Sequence, residues 1–310
     1  MSTVPQHKHQ LHEPSYYFKC LLGGVLACGT THTIICPLDL VKCRKQVNPS
    51  LYKGIGDGFK TVFKANGFGA KGLYRGWLPT LLGYSMQGMG KFGLYELFKD
   101  CFARMVGEEQ AKKFRVVGWL ACSACAEFVA DLFLCPMESV KVRIQTSLPE
   151  GSFTHKLSEC YGLIKKNEGM YGFYKGIVPL WLRQIPYTMM KFACFEKTVS
   201  LFYTHIFNKP KSEYNKATQL SITFMSGYIA GIFCAIVSHP ADTIVSKLNQ
   251  VKTSGSITST IGKIYKEIGF AGIWRGLVLR IIMIGTLTGM QWWIYDSFKA
   301  ACGLATTGGK

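Results

Sequence analysis

Apolar residues gather in six long stretches, near 17–41, 76–99, 116–140, 176–203, 219–245 and 276–299, each interrupted by isolated polar residues. A membrane-spanning helix needs roughly 20 residues at about 1.5 Å per residue, so all six are long enough to cross a bilayer. Within each successive pair of stretches lies a short polar segment holding Gly67, Gly169 or Gly269, which reads as a small amphipathic helix along the membrane surface. The pattern predicts an all-α membrane protein of six transmembrane helices and three short surface helices.

The pairs are copies of one unit. Gly72-Leu73-Tyr74-Arg75-Gly76 returns as Gly172-Phe173-Tyr174-Lys175-Gly176 and as Gly272-Ile273-Trp274-Arg275-Gly276, one hundred residues apart each time. Upstream, Pro37-Leu38-Asp39-Leu40-Val41-Lys42 matches Pro136-Met137-Glu138-Ser139-Val140-Lys141 and Pro240-Ala241-Asp242-Thr243-Ile244-Val245. Tyr95-Glu96, Phe195-Glu196 and Tyr295-Asp296 close the three units. The chain therefore divides into a polar tail at 1–15, repeats at 16–106, 107–208 and 209–303, and a closing tail at 304–310. A proline inside each odd-numbered helix should kink it, which membranes tolerate when neighbours satisfy the freed carbonyl.

Composition fits this reading without deciding it. Apolar residues make up 48% of 310, and mean hydropathy is only +0.14, as expected if polar residues face a wet cavity. The net charge is +18, from 36 basic and 18 acidic residues. Those bases are scattered between hydrophobic stretches, which argues against nucleic-acid binding and for anionic lipid at the helix ends. Most of the twelve cysteines sit in apolar runs, where a free thiol behaves as a small hydrophobe, and Cys122-x-x-Cys125 reads as packing. The tail with His7, His9 and His12 reads as solvated and is too poor in arginine for a transit peptide. No nucleotide-binding glycine loop or nucleophile elbow is present, so an enzyme is not expected.

A threefold Pro-x-[Asp/Glu]-x-x-[Lys/Arg] string in repeats of about one hundred residues resembles the mitochondrial carrier family over nearly the whole chain. The resemblance implies a pseudosymmetric six-helix bundle around a central cavity, short helices on the matrix side, an inner-membrane location and alternating access between two gates. It implies a matrix gate of Asp39, Lys42, Glu138, Lys141 and Asp242, in which Asp39 meets Lys141 and Asp242 meets Lys42. It likewise implies a cytoplasmic gate of Glu96, Lys99, Glu196, Asp296 and Lys299, in which Glu96 meets Lys299 and Lys99 meets Glu196. Glu138 and Asp296 depart from the pattern, because the bases they call for are Val245 and Val199. Lys247 or Lys197 could substitute from a shifted position.

Helical periodicity turns His32, Glu127 and Asp131 toward the cavity, along with Tyr84, Gln87, Lys91, Arg183, Gln184, Tyr187, Lys191 and Gln291. Ionisable groups at membrane depth are costly and mark a transport path. Lysines with an arginine suit an oxyanion, and glutamine amides and Tyr187 add neutral donors. A carboxylate beside an anion site repels unless it can take a proton; Glu127, Asp131 and His32 are candidates. The strings around Thr31-His32, Tyr84–Gly88 and Arg183–Phe192 resemble more narrowly the phosphate-carrying branch of the family. That resemblance implies phosphate–proton symport, adds Thr31 to the substrate set and puts Glu138 in the proton path. A carrier of a carboxylate or nucleotide is the nearest rival. Backbone amides and bases at Gly72, Arg75, Gly76, Gly172, Lys175, Gly176, Gly272, Arg275 and Gly276 suit a lipid phosphate, and the family resemblance points to cardiolipin. No cofactor or obligate protein partner is expected. The same narrower resemblance implies copper as a further candidate cargo, with Cys20, Cys28 and Cys43 as soft ligands, although packing accounts for these thiols more simply.

Overall fold

The computed structural model describes residues 11–48, 50–147, 156–207, 209–248, 257–274 and 277–308, with no strand among them. The first repeat holds α1 (Pro14–Val47), α2 (Ile55–Asn66) and a continuous rod made of α3 (Trp77–Gly88), a π-helical turn (Met89–Leu94) and α4 (Tyr95–Val106). A short α5 (Glu108–Lys113) leads to α6 (Arg115–Thr146), α7 (Leu157–Glu168), the single turn α8 (Tyr171–Tyr174) and α9 (Ile177–Leu201), which a π turn (Phe202–Ile206) extends. The third repeat is α10 (Lys216–Leu248), α11 (Ile257–Ile273) and α12 (Leu277–Ala301). The long helices close into a ring: α1 packs on α3, α3 on α6, α6 on α9, α9 on α10, α10 on α12, and α12 on α1.

The helices α1, α6 and α10 are each long and apolar enough by themselves to span a bilayer. Outward-facing Val117 (58% exposed), Leu182 (75%) and Val278 (73%) give the ring an apolar exterior, which water would not tolerate and lipid tails would. The three prolines lie inside these helices. The residue before each proline ties its helix to the loop before the partner helix. Cys36 Sγ donates to the Arg75 carbonyl (3.8 Å) and Cys135 Sγ to that of Phe173 (3.3 Å), while His239 stacks on Trp274.

The short helices α2 and α7 end, and α11 kinks, at glycines of positive φ: Gly67 (70°), Gly169 (64°) and Gly269 (68°). Their apolar faces seal small satellite cores, such as Val62 with Leu40, Val41 and Leu73, and Ile164 with Val140, Ile144 and Phe173. Within the first and third repeats, glycine permits backbone to touch backbone. A Cβ on Gly24 would lie 2.1 Å from the Gly88 oxygen, and one on Gly231 would lie 2.7 Å from Gly285 Cα. No glycine makes such an approach between α6 and α9.

Candidate functional site

Halfway along the bundle, five of the six rods contribute to a buried polar belt. Lys91, Lys191 and Gln291 stand one hundred residues apart, at equivalent points of the three repeats, and are 3%, 0% and 2% exposed. Lys191 donates to Gln291 Oε1, and the Gln291 amide donates to Thr31 Oγ1 at 3.3 Å. Across the ring, Lys91 Nζ donates to Gln87 Oε1 (3.3 Å). The Gln87 amide nitrogen in turn donates to Glu127 Oε1 (2.6 Å) and Asp131 Oδ1 (3.2 Å). Both carboxylates are fully buried, one turn apart on α6. Glu127 Oε2, Asp131 Oδ2 and Thr188 Oγ1 are buried without a protein hydrogen-bond partner. Lys91 rides on the π turn, whose wider register is a feature often found at functional sites.

The residue after each of Lys91, Lys191 and Gln291 is aromatic. Phe92, Phe192 and Trp292 meet with ring centroids 5.0 to 5.3 Å apart, and Phe195 stacks on Trp292 at 3.6 Å. This plug seals the belt on the side of Glu96, Glu196 and Asp296. Beyond it opens a vestibule of about 890 Å³, lined by both acids and bases, among them Lys99, Lys112, Arg115 and Lys299. The expected cavity residues Gln87, Lys91, Glu127 and Lys191 do not line this vestibule and are buried.

Of the expected gate links, Asp39 pairs with Lys141, and Lys99 with Glu196 at 3.1 Å. Glu138 lies 3.5 Å from Lys141 on its own helix. Lys42 is exposed, and the side chains of Asp242 and Lys247 lie outside the described residues. The Glu96–Lys299 link is corrected by the structure. Lys99, one turn away, takes Glu96 at 3.2 Å, and the Tyr16 hydroxyl donates to Glu96 at 3.2 Å. Lys299 lies over the Tyr16 and Tyr295 rings instead. Asp296 is met by Thr223 and Thr307, not by Lys197, which is exposed.

Other expected residues scatter around the belt. Arg183 is exposed, two turns along α9 from Lys191, so it does not join the buried set. Gln184 and Tyr187 are half-buried, and the Tyr187 hydroxyl lies 3.4 Å from Thr288 Oγ1. His32 stacks on Tyr84 at 3.7 Å, and Lys141 sits 5.0 Å above the Tyr84 ring, which joins His32 to the Asp39–Lys141 gate and not to the two acids.

The lipid candidates are used mainly for packing. Arg75 is buried, donating to the Ile144 carbonyl (2.9 Å) and Ser147 Oγ (3.0 Å) at the end of α6. A Cβ on Gly72, Gly172 or Gly272 would strike the preceding helix end at 1.9, 2.6 or 2.2 Å. Gly76 starts α3 at φ 82°; Lys175 and Gly176 are exposed; Arg275 and Gly276 lie outside the described residues. Cys20, Cys28 and Cys43 share one helix at spacings of about 12 and 22 Å by helical rise, too far apart to bind one copper ion together. His12, expected in a solvated tail, is anchored by Asp100 Oδ2 at 2.6 Å. Sequence reasoning also missed the aromatic plug, although its hundred-residue spacing is visible.

A closed ring of three helix pairs, charged at both ends and polar at its buried waist, defines a membrane solute carrier. The family model described as mitochondrial carrier protein matches residues 13–106, 112–206 and 216–304, and the chain belongs to that family. Among its relatives is "Phosphate carrier protein, mitochondrial" of Caenorhabditis elegans, 61% identical over 93% of this chain and 82% of that protein. A second is "Probable mitochondrial phosphate carrier protein" of Schizosaccharomyces pombe, 55% identical over 98% and 96%. Human "Solute carrier family 25 member 3" is 55% identical over 92% and 76%.

Proposed function

We propose that this carrier moves inorganic phosphate together with a proton across the mitochondrial inner membrane by alternating access, with all six rods spanning the bilayer. The observation that carries the reading is the pairing of two buried ammonium groups, Lys91 and Lys191, with two buried carboxyls, Glu127 and Asp131, in one belt. The names of the relatives point to the same anion.

Charge counting explains the coupling. With both carboxylates ionised the belt is neutral, two positive against two negative, and has no net attraction for an anion in a poorly screened interior. One proton on the acid pair leaves a net positive charge, which singly charged phosphate then neutralises. The loaded belt is again neutral, so crossing carries no net charge. Gln87 is the switch between the halves, because it holds Lys91 by its oxygen and both acids by its nitrogen. Thr31, Thr188 and Gln291 supply neutral groups for the phosphate oxygens. His32, stacked on Tyr84, serves the proton path at the Asp39–Lys141 gate, on what the family resemblance makes the matrix side, and Glu138 hands protons across it. Cardiolipin binds at the starts of the even rods through backbone amides and Lys175.

The experiment is uptake of labelled phosphate into vesicles containing the purified carrier, acid outside. Wild-type uptake should follow the imposed pH gradient. Glu127→Gln should keep phosphate-for-phosphate exchange within about threefold and lose net gradient-driven uptake, since a neutral amide mimics the protonated acid permanently. Gradient-driven uptake that survives Glu127→Gln would remove Glu127 from the proton path, and survival in Glu127→Gln with Asp131→Asn would remove the acid pair.

A further inference from the structure

Residue 199 is where the three-fold pattern fails. Its equivalents Lys99 and Lys299 are bases, and Val199 leaves the Asp296 carboxylate without the cation its position calls for. The segment after α12 lies over this gap. A Cβ on Gly308 would come within 3.0 Å of Val199 Cγ1, so backbone occupies the space a lysine side chain from 199 would fill. The Thr307 N–H donates to both oxygens of Asp296 (2.9 and 3.0 Å), and its hydroxyl donates to Oδ1 at 2.7 Å. Thr223 donates to Oδ2 at 2.8 Å. Lys299 Nζ donates to Thr307 Oγ1 at 3.2 Å, so one hydroxyl bridges the acid and the base of the third gate string.

The segment is held from its other side as well. Lys211 donates to the carbonyls of Thr306, Thr307 and Gly308. The Thr306 hydroxyl donates to Gln219 Oε1 at 3.1 Å. Thr306 and Thr307 are 7% and 4% exposed. An ion pair at this depth would need a lysine; here a backbone amide and a hydroxyl satisfy the carboxylate, and charge-assisted hydrogen bonds of this kind are strong.

We propose that Thr307 is a gate residue. The strap 303–308 supplies the link to Asp296 that Val199 cannot and must leave Asp296 for the 96/196/296 gate to open. The proposal rests on the carrier reading above. The strap touches Val199 on α9, Thr223 and Gln219 on α10, and Lys299 on α12, so it crosses the seam between the second and third repeats, the seam left unlinked by Val199.

Cys20 is a natural reporter: it is fully buried behind this gate, beside the hydroxyls of Tyr16 and Tyr295. Four chains are compared in vesicles: wild type, Thr307→Val, a chain stopped after Leu304, and that stopped chain carrying Val199→Lys. A membrane-impermeant thiosulfonate is applied, and Cys20 modification is followed by peptide mass mapping alongside phosphate–phosphate exchange. Cys20 should react about tenfold faster in Thr307→Val and about 100-fold faster in the stopped chain, the scale expected from losing one or several hydrogen bonds to a charged group. Val199→Lys should restore the stopped chain to within about twofold of wild type, which a merely structural tail would not allow. Equal rates in wild type and Thr307→Val, or no protection by Val199→Lys, overturn the proposal. Absence of exchange in the wild type would instead count against phosphate transport, and the labelling contrast would still decide the strap.

Discussion

The two ends of the bundle and its waist obey different rules. At the gates the repeats nearly agree: Glu96, Glu196 and Asp296 at one end, Asp39, Glu138 and Asp242 at the other. At the waist they part. Glu127 and Asp131 on α6 correspond to Cys28 and His32 on α1 and to Gly231 and Ala235 on α10, while Lys91 and Lys191 correspond to Gln291. Opening and closing a ring is a task that three similar arms can share. Under the proposed function, gripping one tetrahedral anion and one proton requires different groups at equivalent positions, and the departures from symmetry fall where that reading puts the cargo.

The contrast is broken most severely at the waist. Lys191→Met removes one of two buried cations and strands the Gln291 oxygen, so phosphate exchange should fall by about 100-fold or more, the scale of an unsatisfied buried partner of about 3 kcal/mol. Exchange within tenfold of wild type would take Lys191 out of the anion site. At a gate the same kind of change should matter less. Val245→Lys offers Glu138 the base its position lacks, and one added partly wet ion pair of about 1 kcal/mol should slow turnover about fivefold. An unchanged rate would show that Lys141 already satisfies both acids. The smallest effect belongs to the short helices. The Arg143 guanidinium, 2.8 Å away, holds the exposed Glu168 carboxyl below its ordinary range. A lowered folded-state value means the pair stabilises at neutral pH and is lost as pH falls through that value. Glu168→Gln should therefore lower Tm by about 1 °C at pH 7 in detergent and leave it unchanged once the wild-type carboxyl is protonated.

What the sequence made legible follows from what repetition and helical spacing can encode. Positions 91, 191 and 291 announce themselves by interval, and the 3.6-residue period turns Glu127 and Asp131 to one face, so the belt was readable. Arg183 has the same periodicity to recommend it, yet lies two turns farther along α9, where the ring leaves it exposed. Arg75 reads as a lipid ligand because a base and backbone amides stand together at a helix start; only the approach of the α6 end reveals the carbonyl it donates to. Thr307 had no periodicity to betray it, since it follows the last helix and acts on a carboxylate eleven residues back through a turn. His12 likewise binds Asp100, 88 residues away. Contacts made by irregular backbone across long separations leave no trace in a hydrophobic pattern.

The glycine contacts inside the first and third repeats have a mechanical consequence. Where Gly24 abuts Gly88 and Gly231 abuts Gly285, two rods touch backbone to backbone with no side chains between them to change rotamer, so each pair should swing as one stiff lever. The α6–α9 pair has no such weld, and it is the pair that carries Glu127, Asp131 and Lys191. Compliance is thereby concentrated in the arm that carries the acids and Lys191, so under the proposed function the anion arrives at a soft element while the other two arms act as stiff levers.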